Sequence, residues 1–167
     1  MADTWEGDDS MLKITRKFDY AMVLLTDLGL HGKKPASARA IADRYGLSLS
    51  LTANVLKGLQ RSAIVRSIRG VRGGYVLGRE PAEISLASVI LAIEGDRPMT
   101  DCQGGPGKKD CPAFTICPAR SYINYIERRI RGLFADASLA DVLESADPKR
   151  KGPESRTDLA AAAGGGR

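Results

Sequence analysis

The chain has 167 residues, 43% of them hydrophobic and 27% charged, a length that fits one domain or one domain with an appendage. It has no apolar run long enough to cross a membrane, and it begins with the acidic, polar segment MADTWEGDDS. The sequence therefore predicts neither a membrane span nor a signal peptide, and it favours a cytoplasmic protein.

Positive charge is concentrated in one half of the chain. Residues 1–10 hold four acids and no base, whereas residues 11–79 hold thirteen Lys or Arg against three Asp. The net charge is −2 over residues 80–143 and +1 over residues 144–167. A basic region of this size is typical of a nucleic-acid binder, and a solvated basic surface is the alternative interpretation.

Three helices are predicted at the start of this basic region. The first runs from Thr15 to about Leu30, where apolar residues recur with helical spacing. Ser37 is placed to cap a short second helix that Gly46 ends, and Ser48 is placed to cap a third helix, LSLTANVLKGLQRSA. Two short helices around a tight turn that contains glycine indicate a helix-turn-helix.

A β-hairpin wing is predicted directly after these helices. The β-prone runs Ile64–Ile68 and Gly74–Leu77 flank a tip rich in Gly and Arg, which carries Arg69 and Arg72. The predicted fold is therefore mainly α with a small β-wing: a winged helix-turn-helix over residues 11–80, after an acidic N-terminal extension at residues 1–10.

The third helix and the wing supply the candidate DNA contacts, because a recognition helix places its first side chains at base edges in the major groove. The polar residues expected at the major groove are Ser48, Ser50, Thr52 and Asn54. The basic residues expected at phosphates or in the minor groove are Lys57, Arg61, Arg69 and Arg72. The competing interpretations are a plain helix cap for Ser48 and a solvated turn for the two wing arginines.

The C-terminal half is predicted to be helical around one loop. A connecting helix lies in residues 81–100, a cysteine loop in residues 101–118, and a long helix and a short terminal helix in residues 119–144. Residues 145–167 have no usable periodicity and are predicted to be disordered. The apolar stripe of the long helix comprises Tyr122, Ile126, Ile130 and Leu133, with Ile123 and Phe134 beside it. Such a stripe forms either core or a dimer contact, and two-fold binding to DNA favours a homodimer.

All three cysteines of the chain, Cys102, Cys111 and Cys117, fall within that loop as C-x8-C-x5-C. Thiolates that converge on one point suit a soft metal or an iron–sulfur cluster. Two alternatives are a structural zinc site, although the usual C-x2-C pairs are missing, and a metal-free cysteine redox switch. The sequence shows no catalytic constellation, so we do not expect an enzyme.

Several motifs resemble those of the Rrf-type transcriptional regulators, the family of IscR, NsrR and RirA. The segments that carry the resemblance are MLKITRKFDYAMVLL, IADRYGLSLSLTANVLKGLQ, VRSIRGVRGGYVLG and the cysteine loop. The resemblance covers residue 11 to about residue 143 and is nearest to regulators of the SUF iron–sulfur assembly operon. It implies a regulator of iron–sulfur assembly genes, a repressor or an activator, that binds promoter DNA as a homodimer.

The resemblance also implies an iron–sulfur cluster, 2Fe–2S rather than 4Fe–4S, held by the three cysteines and one other ligand. IscR-like members place a histidine three residues after the last cysteine, where this chain has Arg120. NsrR-like members use an aspartate early in the first helix, donated across the dimer, and Asp19 aligns with it. Asp19 is therefore the candidate fourth ligand, with Asp101 and Asp110 as local competitors, and the single histidine, His31, is not expected to be a ligand.

Overall fold

The structure is a computed structural model that describes residues 15–96 and 113–146. Its helices are α1 (Arg16–Leu30), α2 (Ala38–Tyr45), α3 (Leu49–Arg61), a 3-10 helix (Pro81–Glu83), α4 (Leu86–Glu94), α5 (Arg120–Asp136) and α6 (Leu139–Ser145). Its strands are β1 (Val65–Ile68) and β2 (Gly74–Leu77). This arrangement confirms the predicted fold, which is mainly α with a small β-wing. The predictions for the N-terminal extension, for Cys102 and Cys111 with the acids beside them, and for the tail lie outside the described residues.

The helices begin and end where side-chain hydrogen bonds and glycine allow. Ser37 accepts a hydrogen bond from the Ala40 N–H, and Ser48 accepts one from the Leu51 N–H, so both predicted caps are confirmed. Gly46 ends α2 in the left-handed conformation, with φ of 63°, which glycine adopts without a steric penalty. The turn between α2 and α3 is consequently short, as a helix-turn-helix requires.

The wing is an antiparallel hairpin in which Val65 lies opposite Leu77 and Ile68 lies opposite Gly74. The loop between α1 and α2 adds a third backbone segment to it. The Ala36 N–H donates to the Tyr75 carbonyl at 3.0 Å, and the Tyr75 N–H donates to the Ala36 carbonyl at 2.8 Å. The loop between α1 and α2, which contains Lys33, Lys34 and Pro35, is therefore joined to the wing.

The core forms around α1, whose inner face packs against α3, α4, α6 and the wing. Its buried hydrophobic residues are Phe18, Ala21, Leu24, Leu25, Leu28, Ile41, Val55, Leu56, Leu59, Ile64, Val65, Ile84, Val89 and Leu139. The C-terminal end of α5 joins this core through Phe134, which lies edge-to-face on Phe18 with ring centroids 6.2 Å apart. In the part of the chain that the structure describes, no helix is long and apolar enough to cross a membrane.

Candidate DNA-binding surface and cysteine site

The second helix of the helix-turn-helix, α3, presents most of its predicted contact residues to solvent. Ser48, Ser50, Asn54, Lys57 and Arg61 are exposed. The hydroxyls of Ser48 and Ser50 lie 3.0 Å apart. Polar and basic groups on one accessible helix are what groove recognition requires, so these residues remain candidates for base and phosphate contacts. We call α3 the recognition helix from here on.

Thr52 corrects the prediction made from the sequence. Its side chain is fully buried, with 0% relative exposure, so it is not available to a base edge. Thr52 lies three and four residues before Val55 and Leu56, on the helix face that enters the core. The helical spacing alone predicted that Thr52 is buried, whereas its polar hydroxyl suggested a position on the exposed face of α3. Within the described residues its Oγ1 atom has no hydrogen-bond partner.

Ser48 is held from the first helix as well as by its own cap. Its backbone N–H donates to the Tyr20 hydroxyl at 3.3 Å. Ser48 therefore has two roles. Its side chain caps the recognition helix, and its backbone hydrogen bond to Tyr20 fixes the start of that helix against α1. Its hydroxyl remains exposed at the same time, so the cap and a DNA contact are compatible.

Backbone crowding explains the glycines of the wing. A Cβ atom at Gly73 would lie 2.4 Å from the Ile68 carbonyl oxygen, and one at Gly74 would lie 2.6 Å from the Ala36 carbonyl oxygen. Only glycine tolerates such close backbone approaches. The exposed tip between the strands presents Arg69 and Arg72 to solvent.

The wing is also tied to the recognition helix. The Gln60 side-chain amide at the end of α3 donates to the Ser67 hydroxyl on β1 at 3.2 Å. Arg79, just after β2, donates to the Ser62 carbonyl at 2.7 Å. The two parts of the candidate DNA surface therefore keep a defined position relative to each other.

Three basic residues beside the wing were missed by sequence reasoning. Lys33, Lys34 and Arg39 are exposed and flank Ala36, the residue that pairs with Tyr75. Within residues 11–79, Lys and Arg outnumber acidic residues, which predicted further exposed cations but not their positions. The pairing places them next to the basic hairpin, where they extend one positive surface.

Arg44, by contrast, is engaged within the protein. Its Nη1 atom donates to the carboxylate of Asp27, which is fully buried in α1, and the Tyr45 hydroxyl donates to the same oxygen at 3.0 Å. The hydrogen bond to Asp27 raises the pKa of Arg44 above its ordinary value. This cluster fastens the C-terminal end of α2 to α1.

His31 belongs to the same cluster. Its Nδ1 atom lies 2.7 Å from the Asp27 carbonyl oxygen, and Nε2 lies 3.4 Å from Nη1 of Arg44. Both ring nitrogens therefore face partners within the protein.

Cys117 is the one cysteine within the described residues. Its thiol is free and half-buried, three residues before α5 begins at Arg120. Asp19 is exposed in the first turn of α1. Over residues 15–96 and 113–146, no group of three or more His, Cys, Asp or Glu side chains lies close enough to hold a metal ion. A soft thiolate and a hard carboxylate are both iron ligands, so these two residue types suit the implied group.

The outer face of α5 is apolar and exposed. Tyr122 is 67% and Leu133 is 60% exposed, and Tyr125 and Ile126 are exposed as well. The opposite face of α5 packs inward and holds the buried side chain of Glu127, which accepts a hydrogen bond from Arg131 Nε at 2.9 Å. Of the predicted stripe, Tyr122, Ile126 and Leu133 therefore face solvent in a single chain.

Arg131 connects α5 to the segment that leads into the cysteine loop. Its Nη1 atom donates to the Asp96 carboxylate, just after α4, at 3.0 Å. The hydrogen bond with Glu127, followed by that with Asp96, raises the pKa of Arg131. Asp96, the last residue described before the cysteine loop, is thereby bonded to the helix that begins three residues after Cys117.

Comparison with known proteins decides the family. A family model described as "Rrf2: Iron-dependent Transcriptional regulator" matches residues 14–145. The chain belongs to the Rrf2 family. It is thus a DNA-binding transcriptional regulator, as the helix-turn-helix and the wing predicted.

Individual Rrf2 relatives agree with this assignment. The HTH-type transcriptional regulator IscR of Serratia proteamaculans (strain 568) is 31% identical over 137 residues, covering 81% of this chain and 82% of the relative. The solved structure of T. potens IscR is similar with a TM-score of 0.67 and 27% identity, over 86% of this chain and 94% of that chain. The structure of CymR (YrzC), the global cysteine regulator of B. subtilis, has a TM-score of 0.64 and 28% identity, over 82% and 100% of the two chains. These relatives are regulators and not enzymes.

Proposed function

We propose that two copies of this chain form a regulator that senses iron or redox status through an iron–sulfur cluster and controls iron–sulfur assembly genes. The cysteines 102, 111 and 117 and the carboxylate of Asp19 would hold the cluster. The observation that carries this proposal is the place of Cys117, directly before the helix whose outer face is apolar and exposed. One element would then carry a cluster ligand and the contact between the two copies.

The dimer is supported by the exposed face of α5. Large apolar side chains that lie together on one exposed helix face mark an interaction surface. A second copy of α5 would cover that face with the same residues, as a two-fold contact requires. Two recognition helices related by such an axis would then address two half-sites on DNA.

The position of Asp19 supports ligation between copies rather than within one. Phe134 contacts Phe18, the neighbour of Asp19, whereas Cys117 lies before the opposite end of α5. The fourteen residue-to-residue steps from Arg120 to Phe134 span about 21 Å of helix. Within one chain the two groups are therefore at opposite ends of α5, and Asp19 of the second copy is the proposed ligand.

A path from this site to DNA runs through α1. Asp19 is followed by Tyr20, whose hydroxyl accepts the hydrogen bond from the N–H of Ser48 at the start of the recognition helix. Formation or loss of the bond between Asp19 and the cluster would shift the first turn of α1 and, through Tyr20, the recognition helix. When bound, the cluster would supply chemistry that responds to iron and oxidants, and an oxygen ligand would keep it labile.

The first experiment is an anaerobic visible absorption spectrum with iron, sulfide and zinc assayed on the same sample. Brown protein with iron and acid-labile sulfide supports the proposal, and the band shape separates 2Fe–2S from 4Fe–4S. Colourless protein with stoichiometric zinc moves the cysteines to a structural role. Metal-free protein whose DNA affinity changes reversibly on thiol oxidation identifies a redox switch.

The fourth ligand is tested by Asp19→Ala, with Asp43→Ala as the matched control on an exposed carboxylate of α2. The Asp19 variant should alter the visible spectrum, and the control should not. An unchanged spectrum for Asp19→Ala would leave the local acids Asp101 and Asp110 as the candidates. Adding the Asp19 variant to a protein with all three cysteines replaced tests donation between copies, since only the mixed dimer could restore a site.

A further inference from the structure

The turn that contains Cys117 is closed by Phe114 and Arg120. The Arg120 guanidinium carbon lies 3.9 Å from the centroid of the Phe114 ring, and Nη1 of Arg120 donates to the Phe114 carbonyl oxygen at 3.4 Å. The Ile116 N–H donates to the Ala113 carbonyl at 3.1 Å within the same turn. Cys117 stands midway between the two closing residues, so its position depends on their contact.

The helix itself gives no reason for an arginine at this position. Arg120 is the first residue of α5, where the helix dipole disfavours a cation. Its N-cap, Ala119, provides no side-chain hydrogen bond, and the first turn holds no acidic residue that could offset the charge. The favourable contacts of Arg120 are therefore those with the turn before the helix.

We propose that Arg120 is a positioning residue that stacks on Phe114 and thereby holds Cys117 at the start of α5 in the place where it acts as a ligand. This inference rests on the proposed function, in which Cys117 is one of the ligands.

Hydrogen–deuterium exchange on the full-length protein without metal tests the turn directly. A cation–π contact at a partly exposed site corresponds to a roughly two- to fivefold change in the population of the open turn. Arg120→Ala and Phe114→Leu should therefore speed exchange of the hydrogen-bonded Ile116 amide by that factor. Arg120→Lys should give an intermediate rate, because lysine keeps the charge but not the planar group that stacks and donates.

Arg128→Ala is the matched control, since Arg128 is an exposed arginine on the same helix, eight residues after Arg120 and outside the exposed apolar face. It should leave exchange in residues 113–119 unchanged. Thermal melting should show that Arg120→Ala does not weaken α5, because alanine favours the first helical turn more than arginine does there. Loosening of the turn can then not be attributed to loss of the helix.

The consequence for the site is measured on the anaerobic, cluster-loaded protein as the decay of visible absorption after EDTA is added. Arg120→Ala and Phe114→Leu should lose absorption roughly two- to fivefold faster than wild type, with Arg128→Ala unchanged. Equal exchange in wild type and Arg120→Ala would overturn the proposal, and so would faster exchange with an unchanged decay. A wild-type protein that takes up no cluster contradicts the proposed function, and exchange alone then decides whether Arg120 holds the turn.

Discussion

Tyr20 on α1 holds Ser48, the residue that begins the recognition helix, through a hydrogen bond of 3.3 Å between the tyrosine hydroxyl and the Ser48 N–H. Asp27, on the same helix, holds Arg44 at the end of α2. Both ends of the turn between α2 and α3 are thus hydrogen-bonded to α1. The orientation of the recognition helix therefore depends on polar contacts with α1 as well as on core packing.

Tyr20→Phe should weaken DNA binding without unfolding the protein. The substitution removes the acceptor for the Ser48 N–H and keeps the ring, so the cost in folding free energy is about 0.5–1.5 kcal/mol. A less firmly held recognition helix should lower operator affinity several-fold in fluorescence anisotropy. Ser145→Ala, which removes an exposed hydroxyl on α6, is the control and should match wild type. Equal affinities for both variants would show that the Tyr20 hydroxyl does not position the recognition helix.

Thr52→Val tests the correction made to the sequence prediction. The buried hydroxyl has no hydrogen-bond partner among the described residues, so a methyl group of similar shape should stabilise the protein by about 1 kcal/mol. Urea unfolding measures this, and DNA affinity should not change. Asn54→Ala, on the exposed face of the same helix, should instead lower DNA affinity and leave stability nearly unaltered. A large loss of affinity in Thr52→Val would return Thr52 to the DNA surface.

The local parts of the fold were predictable, and the parts that depend on distant residues were not. Ser37, Ser48 and Gly46 mark helix boundaries through hydrogen bonds and backbone angles that span only a few residues, and the structure places the boundaries there. The pairing of Ala36 with Tyr75 joins residues far apart in sequence, and no short pattern encodes it. Thr52 shows the limit within a helix, because its spacing and its polarity pointed to opposite faces.

The basic residues beside the wing should contribute to the salt dependence of DNA binding. If Lys33 and Lys34 contact phosphates, replacing both by Gln should reduce the slope of log K against log salt concentration by about 2. The loss of affinity should be equal for operator and random DNA, since phosphate contacts carry no sequence information. Arg128→Gln, an exposed base on α5, is the control and should keep the wild-type slope. Parallel slopes for all three proteins would remove the two lysines from the DNA surface.

Breaking the Asp27 cluster should destabilise the DNA-binding domain. Asp27→Asn keeps the shape but removes the charge that Arg44 and the Tyr45 hydroxyl are bonded to. Hydrogen bonds to a charged group are stronger than those to a neutral one, and Arg44 is itself partly exposed, so we expect a measurable but moderate loss of stability in urea unfolding. Asp43→Asn, an exposed carboxylate on α2, should cost almost nothing. Similar stabilities for the two variants would mean that the buried carboxylate does not hold α2 on α1.

The outer face of α5 should determine the oligomeric state. Leu133→Asp places a charge on an exposed apolar face, so it should abolish self-association with little effect on the fold of a single chain. Light scattering after size exclusion should show a dimer for wild type and a monomer for the variant. Arg128→Asp, a neighbouring exposed position on α5 outside the apolar stripe, is the control and should remain dimeric. A monomer contacts only one operator half-site, whereas a dimer contacts two at once. The Leu133→Asp variant should therefore also lose most of its DNA affinity. A dimer that persists in Leu133→Asp would place the contact between copies on another surface.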